Sequence, residues 1–323
     1  MSTVTLAKAL NAGLRDALVA NPRVLLFGED VGRLGGVFRV TDGLQKEFGE
    51  ERVFDTPLAE SAIIGTAIGL ALRGFRPVPE IQFDGFVYPA FNQIVSHVAK
   101  YHNRSGMALP LTIRIPYGGN IGAVEHHSES PEAYFTHTPG LKVVTPATPG
   151  DAYGLLRSAI DDEDPVIFFE PKARYWQKAE LELPVPHVPI GQARIAHEGE
   201  SVTVIAYGPT VETALQAAKA GEAEGLSLEV IDLRSLVPLD TETLLASLHK
   251  THRAVVVHEA PVFGGFGAEI AARLSHDAFD FLEAPVERVA GLNIPYPPSR
   301  FEKLYLPDVD RILEAADRVV AYA

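Results

Sequence analysis

Three groups of residues in this chain of 323 could carry chemistry. The first centres on Glu60, at the entrance to the stretch Asp55–Gly74, DTPLAESAIIGTAIGLALRG. After a Thr56-Pro57 turn, Ile63, Ile64, Ala67, Ile68, Ala71 and Leu72 recur at helical spacing and predict one apolar stripe. Gly65 and Gly69 leave a bare face that another backbone could approach, and Gly74 stands just past the expected end. A carboxylate at the mouth of so apolar a helix should lose solvation, a property suited to acid–base work. A glutamate there also serves as a helix cap or dipole partner, and periodicity alone favours that role. The rest of the chain reverses the preference.

The second group is His126-His127, which follows the flexible loop Tyr117–Gly122 and the β-type run Leu111–Ile115. Loops after strands commonly hold catalytic groups. Adjacent histidines match neither a two-on-one-face metal pair nor a zinc signature. Ser128 and Ser130 lie close by, without the GxSxG elbow of a hydrolase. The third group, Gly265-Phe266-Gly267, hints at a dinucleotide loop, but Ile270 occupies the place of its last glycine, and the fingerprint is rejected. A GxxxxGK[ST] phosphate loop is absent.

The elements that must position these groups alternate. Thr5–Val19 reads as an amphipathic helix, and Val24–Phe27 as a buried strand ending in Gly28-Glu29-Asp30, where ligand-facing residues of open α/β sheets lie. Pro77–Phe83, Leu111–Ile115, Leu141–Val144 and Val166–Phe169 are further strands, with helices near 91–102, 131–135 and 151–160. Leu183–Gly191 carries three prolines in nine residues and reads as a linker. Beyond it the alternation restarts: strands at 202–206, 228–233, 254–258 and 286–289, and helices near 211–224, 241–249, 266–274 and 309–321. The expected organisation is two α/β domains, residues 1–182 and 193–323, joined by a Pro-rich linker at 183–192.

A net charge of −14 is a poor footprint for nucleic acid and would suit a basic protein partner, though solubility explains it equally well. Without cysteine there is no disulfide framework, thiolate metal site or cysteine nucleophile. The first residues, MSTVTLAKAL, lack a secretory pattern, and the longest apolar run, Ala62–Leu72, is too short to span a bilayer. The cytoplasm is the expected compartment.

DTPLAESA (55–62), PEIQFDGFVYPAFNQ (79–93), HHSESPEAYFTHTPGLKVV (126–144), DPVIFFEPK (164–172), VIDLRSLVPLD (230–240) and HEAPVFGGFGAEI (258–270) together resemble one family along nearly the whole chain. It is the β subunit of the thiamine-diphosphate-dependent, decarboxylating first component of 2-oxo acid dehydrogenase complexes. The segment HSESPEAYFTHTPG with HEAP looks most like the branched-chain enzymes, while EIQFDGFVYP is also close to the pyruvate enzymes. The resemblance implies a transketolase-like fold: an N-terminal pyrimidine-binding parallel-sheet domain and a C-terminal transketolase-C-like α/β domain.

Residue by residue, Glu60 matches the glutamate that hydrogen-bonds the thiamine pyrimidine and favours its imino tautomer. Leu58 and Gln82 match positions lining the same pocket. Phe86 matches an aromatic packed on the pyrimidine, where many branched-chain members have Tyr. His127 matches a histidine implicated in proton transfer or reductive acylation. Leu109, Leu111 and Thr112, with Ala159, Asp162 and Asp164, match a loop pair that binds potassium in some relatives, mostly through backbone carbonyls. Asp164 stands where Asn is common. Thiamine-diphosphate enzymes hold the diphosphate and its Mg2+ through a GDG sequence followed by an Asn pair, and this chain has no GDG. The expected partner is therefore an α subunit supplying that half of the site, in an α2β2 heterotetramer. The resemblance also implies docking to the lipoyl and subunit-binding domains of the dihydrolipoyl acyltransferase. A non-catalytic scaffold conflicts with the presence of Glu60, Gln82 and His127. A self-sufficient transketolase-like enzyme conflicts with the missing diphosphate motif and the length.

Overall fold

The computed structural model describes residues 2–322, so Met1 and Ala323 lie outside it. It falls into two compact units. One runs to Tyr117 and resumes over Tyr134–Ile190; the other comprises Gly118–Ala133 and the chain from Gly191 onward.

In the first unit the chain forms β1 (Ser2–Thr5), α1 (Leu6–Ala20), β2 (Val24–Gly28), α2 (Leu44–Phe48), β3 (Val53–Asp55), α3 (Glu60–Leu72) and β4 (Arg76–Glu80). A 3-10 turn (Asp84–Ala90) and a π-helical stretch (Gln93–Val98) lead into α4 (Ala99–Ser105). Then come β5 (Thr112–Tyr117), α5 (Glu132–Thr136), β6 (Lys142–Val144), α6 (Pro149–Asp161), β7 (Val166–Pro171) and β8 (Lys178–Leu181). Six of these strands lie parallel in the order β6-β7-β5-β4-β2-β3. Thr5 caps α1 by accepting the Lys8 N–H at 3.2 Å, and the predicted stripe of Leu6, Ala9, Leu10, Leu14, Ala17 and Leu18 is buried, with α1 lying along α6.

Pro77 and Pro79 sit inside β4, a central strand where proline is unusual. Arg76 donates its N–H to Arg23 on the β2 side, so the alternate positions 77 and 79 face β5 without a donor. The β4–β5 seam is accordingly open until Glu80 pairs with Arg114 and the Ile81 N–H reaches the Arg114 carbonyl at 3.0 Å. The strand therefore ends at Glu80, short of the predicted Phe83. Helix α3 is apolar on nearly every side. It buries Ile63, Ile64, Ala67 and Ala71, whereas Leu72, expected inside, is 39% exposed beside the bare glycines.

The second unit contains β9 (Arg194–His197), β10 (Val202–Ala206), α7 (Thr210–Glu222), β11 (Leu228–Asp232), β12 (Ser235–Val237), α8 (Thr241–Thr251), β13 (Ala254–Pro261), α9 (Phe266–Asp277), β14 (Glu287–Gly291), α10 (Glu302–Tyr305) and α11 (Val309–Val320). Its sheet has the order β14-β13-β10-β11-β9, parallel except for the edge strand β9. Asp240 and Asp308 cap α8 and α11 through the N–H groups of Thr243 and Arg311.

Candidate functional site

The C-terminal ends of β2 and β4 bring Asp30 and Gln82 together, and α3, with Glu60 at its start, follows β3, the strand beside β2. At the end of β2, Asp30 adopts a left-handed backbone conformation (φ 59°), costly for a residue with a Cβ. Its carbonyl accepts the Gly36 N–H at 2.8 Å, and its carboxylate accepts from Gln82 Nε2 at 2.9 Å. The amide of Gln82 is thereby oriented. Beside it, burial first, and then the charges of Glu60 and Asp30, push the carboxyl of Glu29 above its ordinary range. Glu60 is buried at the first turn of α3, and no side chain caps that helix. Leu58, just before it, is 79% exposed, a large apolar group left in the open beside a buried carboxylate.

Phe86 lies on the 3-10 turn that packs against α3. Its N–H donates to the Phe83 carbonyl at 3.0 Å and its ring meets the Phe83 ring edge-on, centroids 5.7 Å apart. The ammonium of Lys172 lies 5.5 Å from the Phe83 centroid and pairs with Asp84. A planar ring with apolar faces and ring nitrogens fits this set: a buried carboxylate, an anchored amide, an aromatic and an exposed leucine.

Beneath these residues is a network not predicted from the sequence. Arg114 on β5 donates to both oxygens of Glu170 on β7, at 2.6 and 3.0 Å, and to Glu80 on β4 at 2.7 Å. The Tyr175 hydroxyl donates to Glu170 at 2.7 Å, and all four residues are buried. Burial raises the Glu80 carboxyl to about 7, with Glu170 adding to the effect and Arg114 opposing it. The available signal was a single charge inside each of three apolar strand sequences, EIQF, LTIRI and VIFFE.

His127 belongs to the second unit with the rest of Gly118–Ala133. It is half-buried, its Nδ1 is 3.1 Å from the His126 carbonyl, and the exposed His126 ring lies 4.3 Å from its own.

The two halves of the predicted potassium loop do meet. The Leu109 N–H donates to the Glu163 carbonyl at 3.0 Å, Thr112 Oγ1 to the Ala159 carbonyl at 2.9 Å, and the Val166 N–H to the Leu111 carbonyl at 2.9 Å. Their carboxylates already hold side-chain partners. Lys142 Nζ lies 2.8 Å from both oxygens of Asp162 and 3.6 Å from Asp164, whose other oxygen is 2.5 Å from His102 Nδ1. Arg76 donates to the Ile160 and Asp162 carbonyls at 3.0 and 2.8 Å. Among the described residues no group of three or more His, Cys, Asp or Glu could hold a metal ion, and no helix is long and apolar enough to cross a membrane.

Comparison with known proteins identifies the family of the fold. The pyrimidine binding domain of transketolase matches residues 2–177, and the transketolase C-terminal domain matches residues 191–312. The chain is 56% identical to a pyruvate dehydrogenase E1 component subunit beta of Leifsonia xyli, over 100% of this chain and 96% of that protein. It is also 56% identical to a 3-methyl-2-oxobutanoate dehydrogenase subunit beta of Mycobacterium tuberculosis, over 98% and 92%. Among solved structures, a split gene transketolase described as an inactive beta4 tetramer superposes with a TM-score of 0.82 at 25% identity, covering 99% of each chain. The chain belongs to the family of β subunits of the thiamine-diphosphate-dependent first component of 2-oxo acid dehydrogenase complexes.

Proposed function

We propose that this β subunit serves the oxidative decarboxylation of branched-chain 2-oxo acids, with transfer of the acyl group to the lipoyl group of an acyltransferase component. The observation that carries the mechanism is the buried carboxylate of Glu60, set at the mouth of α3 and close enough to Glu29 for their charges to interact. Leu58, Glu60, Gln82 and Phe86 would hold the pyrimidine half of thiamine diphosphate, which when bound supplies the carbanion chemistry of decarboxylation. Glu60 would hydrogen-bond the pyrimidine through its carboxyl oxygen and carry a proton there when the chemistry requires it. Gln82 fixes orientation through Asp30, Phe86 supplies a flat apolar wall, and His127 serves proton transfer in the acyl-transfer step.

The diphosphate and its Mg2+ fall to the α subunit in this reading, since the chain lacks the GDG sequence. An α2β2 assembly follows, with the net charge of −14 suited to a basic subunit-binding domain on the acyltransferase. A cytoplasmic setting fits the bacterial relatives. A potassium ion on the 109–112 and 159–164 loops would rest on backbone carbonyls, because Asp162 and Asp164 already carry Lys142 and His102.

Pyruvate or acetoin is the alternative substrate class, favoured by Phe86 in place of the tyrosine of many branched-chain members and by the equally similar pyruvate-type relative. Turnover of the reconstituted α2β2 enzyme on 3-methyl-2-oxobutanoate and on pyruvate, with Glu60→Gln alongside, decides both points. The branched-chain acid should be preferred, and the variant should lose orders of magnitude in turnover while still assembling. A preference for pyruvate removes the substrate assignment; a near-normal Glu60→Gln removes the mechanism.

A further inference from the structure

The segment that carries His126 and His127 is held at its base by side chains more than a hundred residues away. Gly119 donates its N–H to Glu259 Oε2 at 3.0 Å, Asn120 donates to Tyr296 Oη at 3.1 Å, and Gly122 donates to Glu302 Oε2 at 3.1 Å. On the descending limb, Ser130 Oγ donates to the same Glu259 oxygen at 3.4 Å, and the Tyr207 hydroxyl donates to Glu132 at 2.7 Å. The limbs are closed on each other by the Gly118 N–H on the Glu129 carbonyl at 2.9 Å. One carboxylate oxygen of Glu259 thus ties together two points that bracket His127.

The backbone is shaped for this approach. Gly118, Asn120 and Gly122 all have left-handed φ values, of 83°, 61° and 71°. A Cβ on Gly118 would stand 2.8 Å from Glu259 Oε2, and one on Gly119 would stand 1.9 Å from Tyr296 Oη. Only glycine lets the carboxylate and the phenol reach these N–H groups. Glu259, Tyr296 and Glu302 are all under a tenth exposed, so the three acceptors are fixed and poorly hydrated. These anchors lie on both sides of the histidine pair along the chain.

We propose that Glu259, with Tyr296 and Glu302 in support, is a positioning residue for His127, fixing the loop 118–130 so that the imidazole keeps one place through the acyl-transfer step. The proposal rests on the reading of His127 given above.

The test uses the assembled α2β2 enzyme with Glu259→Ala, Glu259→Gln, Tyr296→Phe and His127→Ala. Hydrogen–deuterium exchange over 118–130 reads the anchoring, and acylation of a lipoyl domain, with 2-oxo acid turnover measured separately using an artificial electron acceptor, reads the chemistry. Glu259→Ala should speed exchange in this segment about tenfold or more and lower kcat for lipoyl acylation by a similar factor, with KM for the 2-oxo acid little changed. Glu259→Gln keeps one acceptor oxygen and should restore most of both. Tyr296→Phe should raise exchange at Asn120, which keeps the question answerable if Glu259→Ala fails to fold. Unchanged exchange in Glu259→Ala and Tyr296→Phe overturns the anchoring. Faster exchange with unimpaired acylation overturns the positioning role. Normal acylation by His127→Ala overturns the reading of His127 on which the proposal rests, whatever the exchange data show.

Discussion

Replacing Arg114 by methionine should damage this protein more than any single surface change. The guanidinium makes three short hydrogen bonds, two to Glu170 and one to Glu80, and none of the three side chains is more than 6% exposed. Methionine fills most of the volume but leaves two carboxylates without their cation in a place water does not reach. Removing one partner of a buried ion pair typically costs about 3–5 kcal/mol, because the remaining charge is stranded. For a unit of this size roughly 2–4 °C accompanies each kcal/mol, so thermal unfolding of the assembled enzyme should begin about 10 °C lower or more. Glu80 also stands two residues ahead of Gln82, so turnover should fall with stability. The control is the triple variant Arg114→Met, Glu80→Gln, Glu170→Gln, which removes the stranded charges and should recover most of the loss. A shift of under about 2 °C for Arg114→Met, or no recovery in the triple variant, would refute the view that charge compensation holds the centre of this sheet.

Two further outcomes are expected. His258 is fully buried on β13, and burial holds its ring pKa at about 4, below the ordinary 6.5. The unfolded chain takes up this proton as pH falls below 6.5 while the folded chain does not. Stability should therefore fall from about pH 6.5 towards pH 4, by about 3 kcal/mol. Denaturant midpoints across that range should flatten in His258→Gln, and an unchanged slope would count against the assignment. For the 109–112 and 159–164 loops, exchanging potassium for choline should lower the thermal midpoint only slightly, because Lys142 already pairs with Asp162 and Arg76 donates to the loop carbonyls. A loss of many degrees would mean the ion itself holds the loops together.

Much of the scaffold could be read directly. Short apolar runs such as Val24–Phe27 and Val202–Ala206 are buried parallel strands because helices cover both faces and leave no polar side to alternate with. Glu60 stood out because a lone carboxylate opened an otherwise apolar helix. Strands β1, β8 and β9 are four residues each and carry no periodic signal, and β1 finds β8 across almost the whole first unit. The ring of Glu80, Arg114 and Glu170 depends on three strands coming side by side, which no local window contains. The anchors of the His127 loop are harder still, with sequence separations of 140, 176 and 180 residues. Local pattern reveals which residues are costly to place, and the fold decides which of them meet.

The claim that matters most is that this chain holds one half of a shared cofactor site. Calorimetric titration of thiamine diphosphate with Mg2+ into the isolated chain, and then into the chain with its α subunit, tests it directly. The account predicts no measurable binding to the β chain alone and tight binding to the assembled pair. Tight binding by the isolated chain would mean that it carries its own diphosphate site, and the half-site reading would be wrong.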